Sequence, residues 1–183
     1  MTAAARRPVA PRPVRNELLA SWMVRVAARY GLEVPEMTTW LAGQATGMQS
    51  HRLIDDIAPD PDLLRLWARA CRVDPTRLVR MCLASRFPDR VPTWILERSG
   101  MPVCLGCFEA DQAMGHDSYM RSGWRLANHL VCPIHRQMLH DRCPACSAQL
   151  RVSFQFRSGV LRAFCSRCGC LLTSRGAEPE HTP

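Results

Sequence analysis

Four pairs of metal-binding side chains follow one another in the second half of this 183-residue chain, each pair separated by two residues: Cys104 and Cys107, Cys132 and His135, Cys143 and Cys146, Cys165 and Cys168. Two ligands at that spacing can point at one ion from a tight backbone turn, and two such turns complete the tetrahedron that zinc prefers. Eight ligands therefore predict two Zn2+ ions in closed, structural sites, since a catalytic zinc keeps an open coordination position. A rubredoxin-like iron site is the alternative metal, but sulfur combined with imidazole at these spacings favours zinc.

The order of the pairs suggests the wiring. Eighteen residues lie between Cys146 and Cys165, within the range of a four-cysteine site, so Cys143, Cys146, Cys165 and Cys168 are expected to share one ion. Cys104, Cys107, Cys132 and His135 are then left for the other; a cross-braced alternative, with the first and third pairs sharing an ion, stays open. Pro133 suits the start of a short helix through about Leu139, which would hold the Cys132 thiolate at a helix N-terminus and His135 one turn along. Cys170, just past the last pair, could replace Cys168. Cys71 and Cys82 read as small buried apolar residues, and His116, His129 and His140 as flanking residues. Asn128-His129 is a superficial likeness to a His-Asn-His nuclease. No glycine-rich phosphate loop, Gly-x-Ser-x-Gly elbow or His-Glu-x-x-His motif occurs in the sequence, so a binding module is expected rather than an enzyme.

The elements that must position these ligands are legible in outline. Leu150, Val152, Phe154 and Phe156 alternate with Arg151, Ser153, Gln155 and Arg157, the period of a strand, and Ser158-Gly159 turns the chain into Val160 to Phe164. A hairpin between two cysteine pairs is a zinc ribbon. Upstream, Asn16 is the expected N-cap of a helix with Leu18, Leu19, Trp22, Met23, Val26, Ala27 and Tyr30 inward, Arg25 and Arg29 opposite, and Gly31 as the stop. A second helix is expected from about Glu36 to Ala42, and a loop from Gly43 to Ala58. Asp60-Pro61 and Asp74-Pro75 each announce a helix, Asp as cap and Pro at the first position. The first should bury Leu63, Leu66, Trp67 and Ala70. The second should turn Leu78, Met81 and Cys82 inward and Thr76, Arg77, Arg80 and Ala84 outward. The pair forms a helix-turn-helix pattern that could read DNA through Arg77 and Arg80. The expected fold is thus α plus a small zinc-ribbon β part. A disordered Arg/Pro tail spans 1–14, a helical domain 15–99, a tandem zinc-binding domain 100–175 and a second disordered tail 176–183. Trp94, Ile95 and Leu96 are expected to form an apolar plug between the two domains.

The formal charge of +8 overstates the basicity, because seven zinc-bound thiolates and two ions leave about +5. Residues 1–103 carry 15 Arg against 10 acids and residues 104–183 carry 9 against 6, so the helical half is the expected polyanion contact. All 24 basic residues are Arg. Arg forks onto phosphate and carboxylate, although genomic base bias yields the same composition. No apolar signal segment opens the chain and no stretch approaches a membrane span. Disulfides between such near neighbours would be strained, so a reducing, cytoplasmic location is expected.

Two stretches together resemble one family. Glu17-Leu-Leu-Ala-Ser21-Trp22-Met-Val-Arg25-Val-Ala27 is similar to the Glu-Ser-x-x-Ser-Trp-x-x-Arg-x-Ala signature of the TniQ proteins of bacterial transposons. The order Cys-x2-Cys, Trp124-Arg125, Cys132-Pro-x-His135, Leu139, Cys143-Pro-x-Cys146 resembles their zinc region, with Leu105 in place of a usual Pro and Arg136 where Gly often follows the His. The resemblance spans roughly residues 15–170. It implies a non-catalytic adaptor in transposition, linking target recognition to an AAA+ ATPase regulator and its transposase, on target DNA or beside an RNA-guided CRISPR effector. A zinc-ribbon and helix-turn-helix transcription regulator is the alternative function.

Overall fold

A buried polar triad opens the first helix. In α1 (Leu19–Ala28), the Arg25 guanidinium turns inward and donates to both oxygens of Glu17 at 3.1 and 2.8 Å, while Ser21 Oγ donates to Glu17 at 3.4 Å. This corrects the expectation that Arg25 lies on the outer face. Asn16 is not the cap either: its backbone is left-handed and Leu18 is the cap residue, with no side-chain bond. The orphan N–H of Ala20 instead donates to Asp56 Oδ1 at 2.8 Å, 36 residues further along. Gly31, at φ +66°, ends the helix as expected, with Gly31 and Leu32 N–H groups closing on the carbonyls of Ala28 and Ala27.

The structure is a computed structural model that describes residues 10–43, 54–90 and 101–173. The chain divides into two compact units, Met1–Val91 and Pro92–Pro183. The expected Trp94–Leu96 plug, most of the Gly43–Ala58 loop and the 176–183 tail fall outside the described residues, as do residues 1–9 of the first tail. Residues 10–14, expected to be disordered, pack on the first unit: Trp22 Nε1 donates to Pro11 O at 2.8 Å and Arg77 to Pro13 O at 2.9 Å.

The first unit continues with α2 (Val34–Ala42), opened by a reciprocal Glu33/Glu36 capping box, and α3 (Pro61–Cys71), capped by Asp60 as expected. Its core joins Trp22 to Trp67, edge to face at 6.0 Å, with Met23, Val26, Met37 and Leu78 packed around them. The Trp67 indole N–H reaches Thr38 Oγ1 at 3.2 Å. On α3 the buried stripe is Leu64, Trp67, Ala68 and Cys71, while Leu63, Leu66 and Ala70 are half-buried. The expected face was turned by about one residue, because Trp67 aims the stripe at α1. Tyr30 lies beyond the end of α1 and stacks, exposed, on Trp40.

Of the two short helices expected as a helix-turn-helix, the first is formed and the second is broken in two. Asp74 caps α4 (Pro75–Val79), which lasts five residues, and a separate short turn, α5 (Leu83–Arg86), follows. The break has a cause: the N–H groups of Leu83 and Ala84 donate to the carbonyls of Asp56 and Ile57 at 2.8 and 3.1 Å rather than back along a helix. Leu78, Met81 and Cys82 do face inward. In the second unit, α6 (Leu105–Ala113) precedes an antiparallel hairpin of β1 (Val152–Arg157) and β2 (Val160–Cys165). Its register runs from Val152 opposite Cys165 to Arg157 opposite Val160, closed by Ser158 and Gly159, both at positive φ as a type I′ turn requires. The architecture among the described residues is therefore mixed, mostly helical with one small sheet.

Candidate metal centres

Three of the four ligand pairs sit on the same backbone turn. In each, the N–H four residues after the leading Cys donates to that Cys carbonyl: Arg136 to Cys132 at 2.8 Å, Ser147 to Cys143 at 2.9 Å and Gly169 to Cys165 at 2.9 Å. The leading N–H in turn reaches the carbonyl five residues on, at Gln137, Ala148 and Cys170. The donor at the fourth step has positive φ every time, 51° at Arg136, 56° at Ser147 and 72° at Gly169. This corrects the short helix expected after Pro133: residues 133–135 form a turn. A left-handed residue directly after His135 reverses the chain before a helix can propagate. The remaining pair, Cys104 and Cys107, is different, with Cys104 as the cap residue of α6 and Cys107 in its first turn.

These turns bring the ligands together in two sequential sets, Cys104, Cys107, Cys132 and His135, and Cys143, Cys146, Cys165 and Cys168; within each set the ligand atoms lie within 4.8 Å of one another. His135 presents Nδ1, at 3.5, 3.4 and 3.6 Å from the sulfurs of Cys104, Cys107 and Cys132. The Cys107 and Cys132 sulfurs are 3.6 Å apart. A tetrahedral ion with ordinary zinc bond lengths needs ligand separations of about 3.6 Å for sulfur to nitrogen and about 3.8 Å between sulfurs. The second set fits as well, with Cys143 to Cys168 at 3.7 Å and Cys146 to Cys165 at 4.0 Å. All ten cysteines are free. Each set can hold one metal ion, and the donor chemistry suits zinc.

The packing around the first set aims it. Gly106 lies against the His135 ring, where a Cβ would stand 3.0 Å from Cγ and 3.1 Å from Cδ2. Arg121 clamps α6 to the segment between the ligand pairs: it makes a bidentate pair with Asp111 at 2.8 and 2.7 Å, donates to Tyr119 O, and stacks 3.8 Å over the Tyr119 ring. Trp124 packs edge to face on Phe108 at 5.4 Å. The Asp111–Arg121 clamp had no sequence signal, because its partners come from different elements. Val103 and His140 exchange two backbone bonds at 2.9 and 2.7 Å, and Ser118 N–H donates to Leu161 O at 2.8 Å, tying the hairpin to the first set.

The Cys107 thiol hydrogen-bonds Cys104 and, against the effect of burial, lowers it to about 5, while the same contact and burial push Cys107 up. Burial pushes Cys143 up, but N–H groups of Cys146 and Ala145 and the Cys170 thiol outweigh it and bring it to about 6. Ion binding must displace the remaining protons. Cys71 and Cys82 are buried in the helical core, and burial raises each to about 11, as expected of inert thiols. Arg77 and Arg80 are exposed, Arg77 with its guanidinium on Pro13 O.

Fold and ligand sets define a two-unit protein, helical in the first unit and built on metal-binding knuckles in the second. The chain belongs to the TniQ family: the family model, described as TniQ, matches residues 8–139. That span contains the Glu17–Arg25 triad and the first ligand set; the second set and the hairpin lie beyond it. Membership ties the chain to DNA transposition. A search of curated proteins finds no match. Among the described residues no helix is long and apolar enough to cross a membrane.

Proposed function

We propose that this protein is a non-catalytic adaptor of DNA transposition that couples target-site recognition to an AAA+ ATPase regulator and its transposase, with two structural Zn2+ ions. Cys104, Cys107, Cys132 and His135 hold one ion, and Cys143, Cys146, Cys165 and Cys168 hold the other. The observation that carries the proposal is the family match across both the helical unit and the first ligand set. Each set already counts four protein ligands, which leaves no open position for a reacting water. Rigid, metal-stapled surfaces suit a bridging protein, because a preorganised face loses less entropy on association. When bound, the ions supply structure, not chemistry.

Direct DNA contact through Arg77 and Arg80 belongs to the same proposal. Both lie on the exposed side of α4 and its end, in the unit with the larger Arg excess. Such binding should fall steeply with salt and weaken when both become Ala.

The test is recovery of an AAA+ transposition ATPase on immobilised protein, with ATP and DNA present, followed by transposition with and without the gene. Co-recovery together with loss of targeted insertion in its absence is the expected result. Targeted insertion without the gene, and no ATPase recovered, would refute the proposal.

A further inference from the structure

A fifth thiol, that of Cys170, lies against the second ligand set. Cys170 Sγ lies 3.4 Å from Cys143 Sγ, nearer than Cys168 at 3.7 Å. The knuckle turn explains why it is there. Cys165 N–H donates to the Cys170 carbonyl at 2.9 Å, and Gly169, at φ +72°, folds the chain back so that the residue after it returns to the ligands. The equivalent positions of the other two turns are Gln137 and Ala148, which offer no sulfur. Among the ligands of this set Cys168 is the exposed one, at the outer end of the turn, while Cys170 is half-buried.

We infer that Cys170 is a reserve ligand of the second ion, able to take the place of Cys168. This rests on the zinc reading above. In the exchange the bond from the Cys168 sulfur breaks, one from the Cys170 sulfur forms, and the proton leaving Cys170 is matched by one taken up at Cys168, so the charge of the site is unchanged. Zinc has no d-electron geometric preference to oppose such a swap. The exposed Cys168, the thiol most open to oxidation or alkylation, can then be lost without loss of the ion.

Cobalt substitution tests this, because sulfur-to-cobalt charge-transfer intensity follows the number of bound thiolates. Wild-type protein should take up two cobalt ions on seven thiolates; uptake of one or none would sink the zinc reading itself. Given that uptake, Cys168→Ser and Cys170→Ser should each keep both ions and the full intensity, and only the double variant should lose a thiolate or the second ion. A Cys168→Ser protein with two ions but reduced intensity, or with one ion, would overturn the inference. Should that variant fail to fold, mild alkylation of the zinc-loaded wild type decides: a label on Cys168 with both ions retained supports the inference, and release of the second ion on labelling of Cys168 refutes it.

Discussion

Glu17, Ser21 and Arg25 are three polar residues, four apart, buried at and along the start of α1. Glu17 is fully buried, and burial raises its carboxyl above the ordinary range in spite of Arg25. Removing one partner of such a pair leaves the other charge uncompensated, so Arg25→Ala should cost about 3–5 kcal/mol, measured by urea unfolding. The sign with pH follows from the raised value. The native state holds a proton on Glu17 more readily than the unfolded chain, so stability falls as pH rises through and above the ordinary Glu range. The Arg25→Ala deficit should therefore be smaller near about pH 5 than near about pH 8, and adding Glu17→Gln should recover part of it and remove the pH dependence. A deficit independent of pH would mean that Arg25 matters only through packing. At the metal site the comparable residue is Gly106. A methyl there meets the His135 ring at 3.0 Å, so Gly106→Ala should weaken the first ion by about 10-fold or more and leave the second untouched. Competition with a chromophoric chelator reads both affinities.

The knuckle is the repeated element, and its cost sits at one residue. A non-glycine residue in left-handed backbone costs about 1–2 kcal/mol, and Arg136 and Ser147 both occupy that conformation where the third knuckle has Gly169. Arg136→Gly and Ser147→Gly should each raise the melting temperature of the zinc-loaded protein, by up to about 1 kcal/mol in stability, while Gly169→Ala should lower it. Destabilisation by both glycine variants would show that those side chains make contacts outweighing the strain. The same element shows what could be read beforehand. Ligand pairs, the Ser158-Gly159 turn and the Asp60 and Asp74 caps are local chemistry, complete within a few residues, and each is legible in the sequence. The turn at Cys132 was not, because Pro133 fits the first position of a helix or a turn equally well, and Arg136 gives no sign that it is left-handed. The start of α1 and the end of α4 were illegible for a different reason. Both are fixed by Asp56 and Ile57, whose bonds to Ala20, Leu83 and Ala84 cross long stretches of chain.

At the scale of the whole molecule the two units differ in that only the second contains the ligand sets. The first, Met1–Val91, has an apolar core with Trp22, Trp67, Met37 and Leu78 fully buried. In the second the ligands are carried by the start of α6, three short turns and one hairpin, around a smaller apolar set that includes Val103, Phe108, Trp124 and Leu161, with isolated backbone pairings such as Val103 with His140. Structural zinc supplies an apparent binding free energy of about 10–16 kcal/mol per site, against a net stability of about 5–15 kcal/mol for an ordinary domain. With an ion in each set, that contribution would exceed the net stability of the second unit, whereas the first unit contains neither ligand set. A chelator strong enough to strip both ions should thus unfold one unit and spare the other. Hydrogen exchange would show this directly: amides of α1 and α3 should keep their protection, while those of α6, β1 and β2 should exchange at unfolded-chain rates. Cys143→Ser should reproduce the loss at β1 and β2 without chelator, although the first ion stays bound. Protection surviving in the hairpin after both ions are removed would mean that the second unit is held by its packing, and that the clusters serve something other than stability.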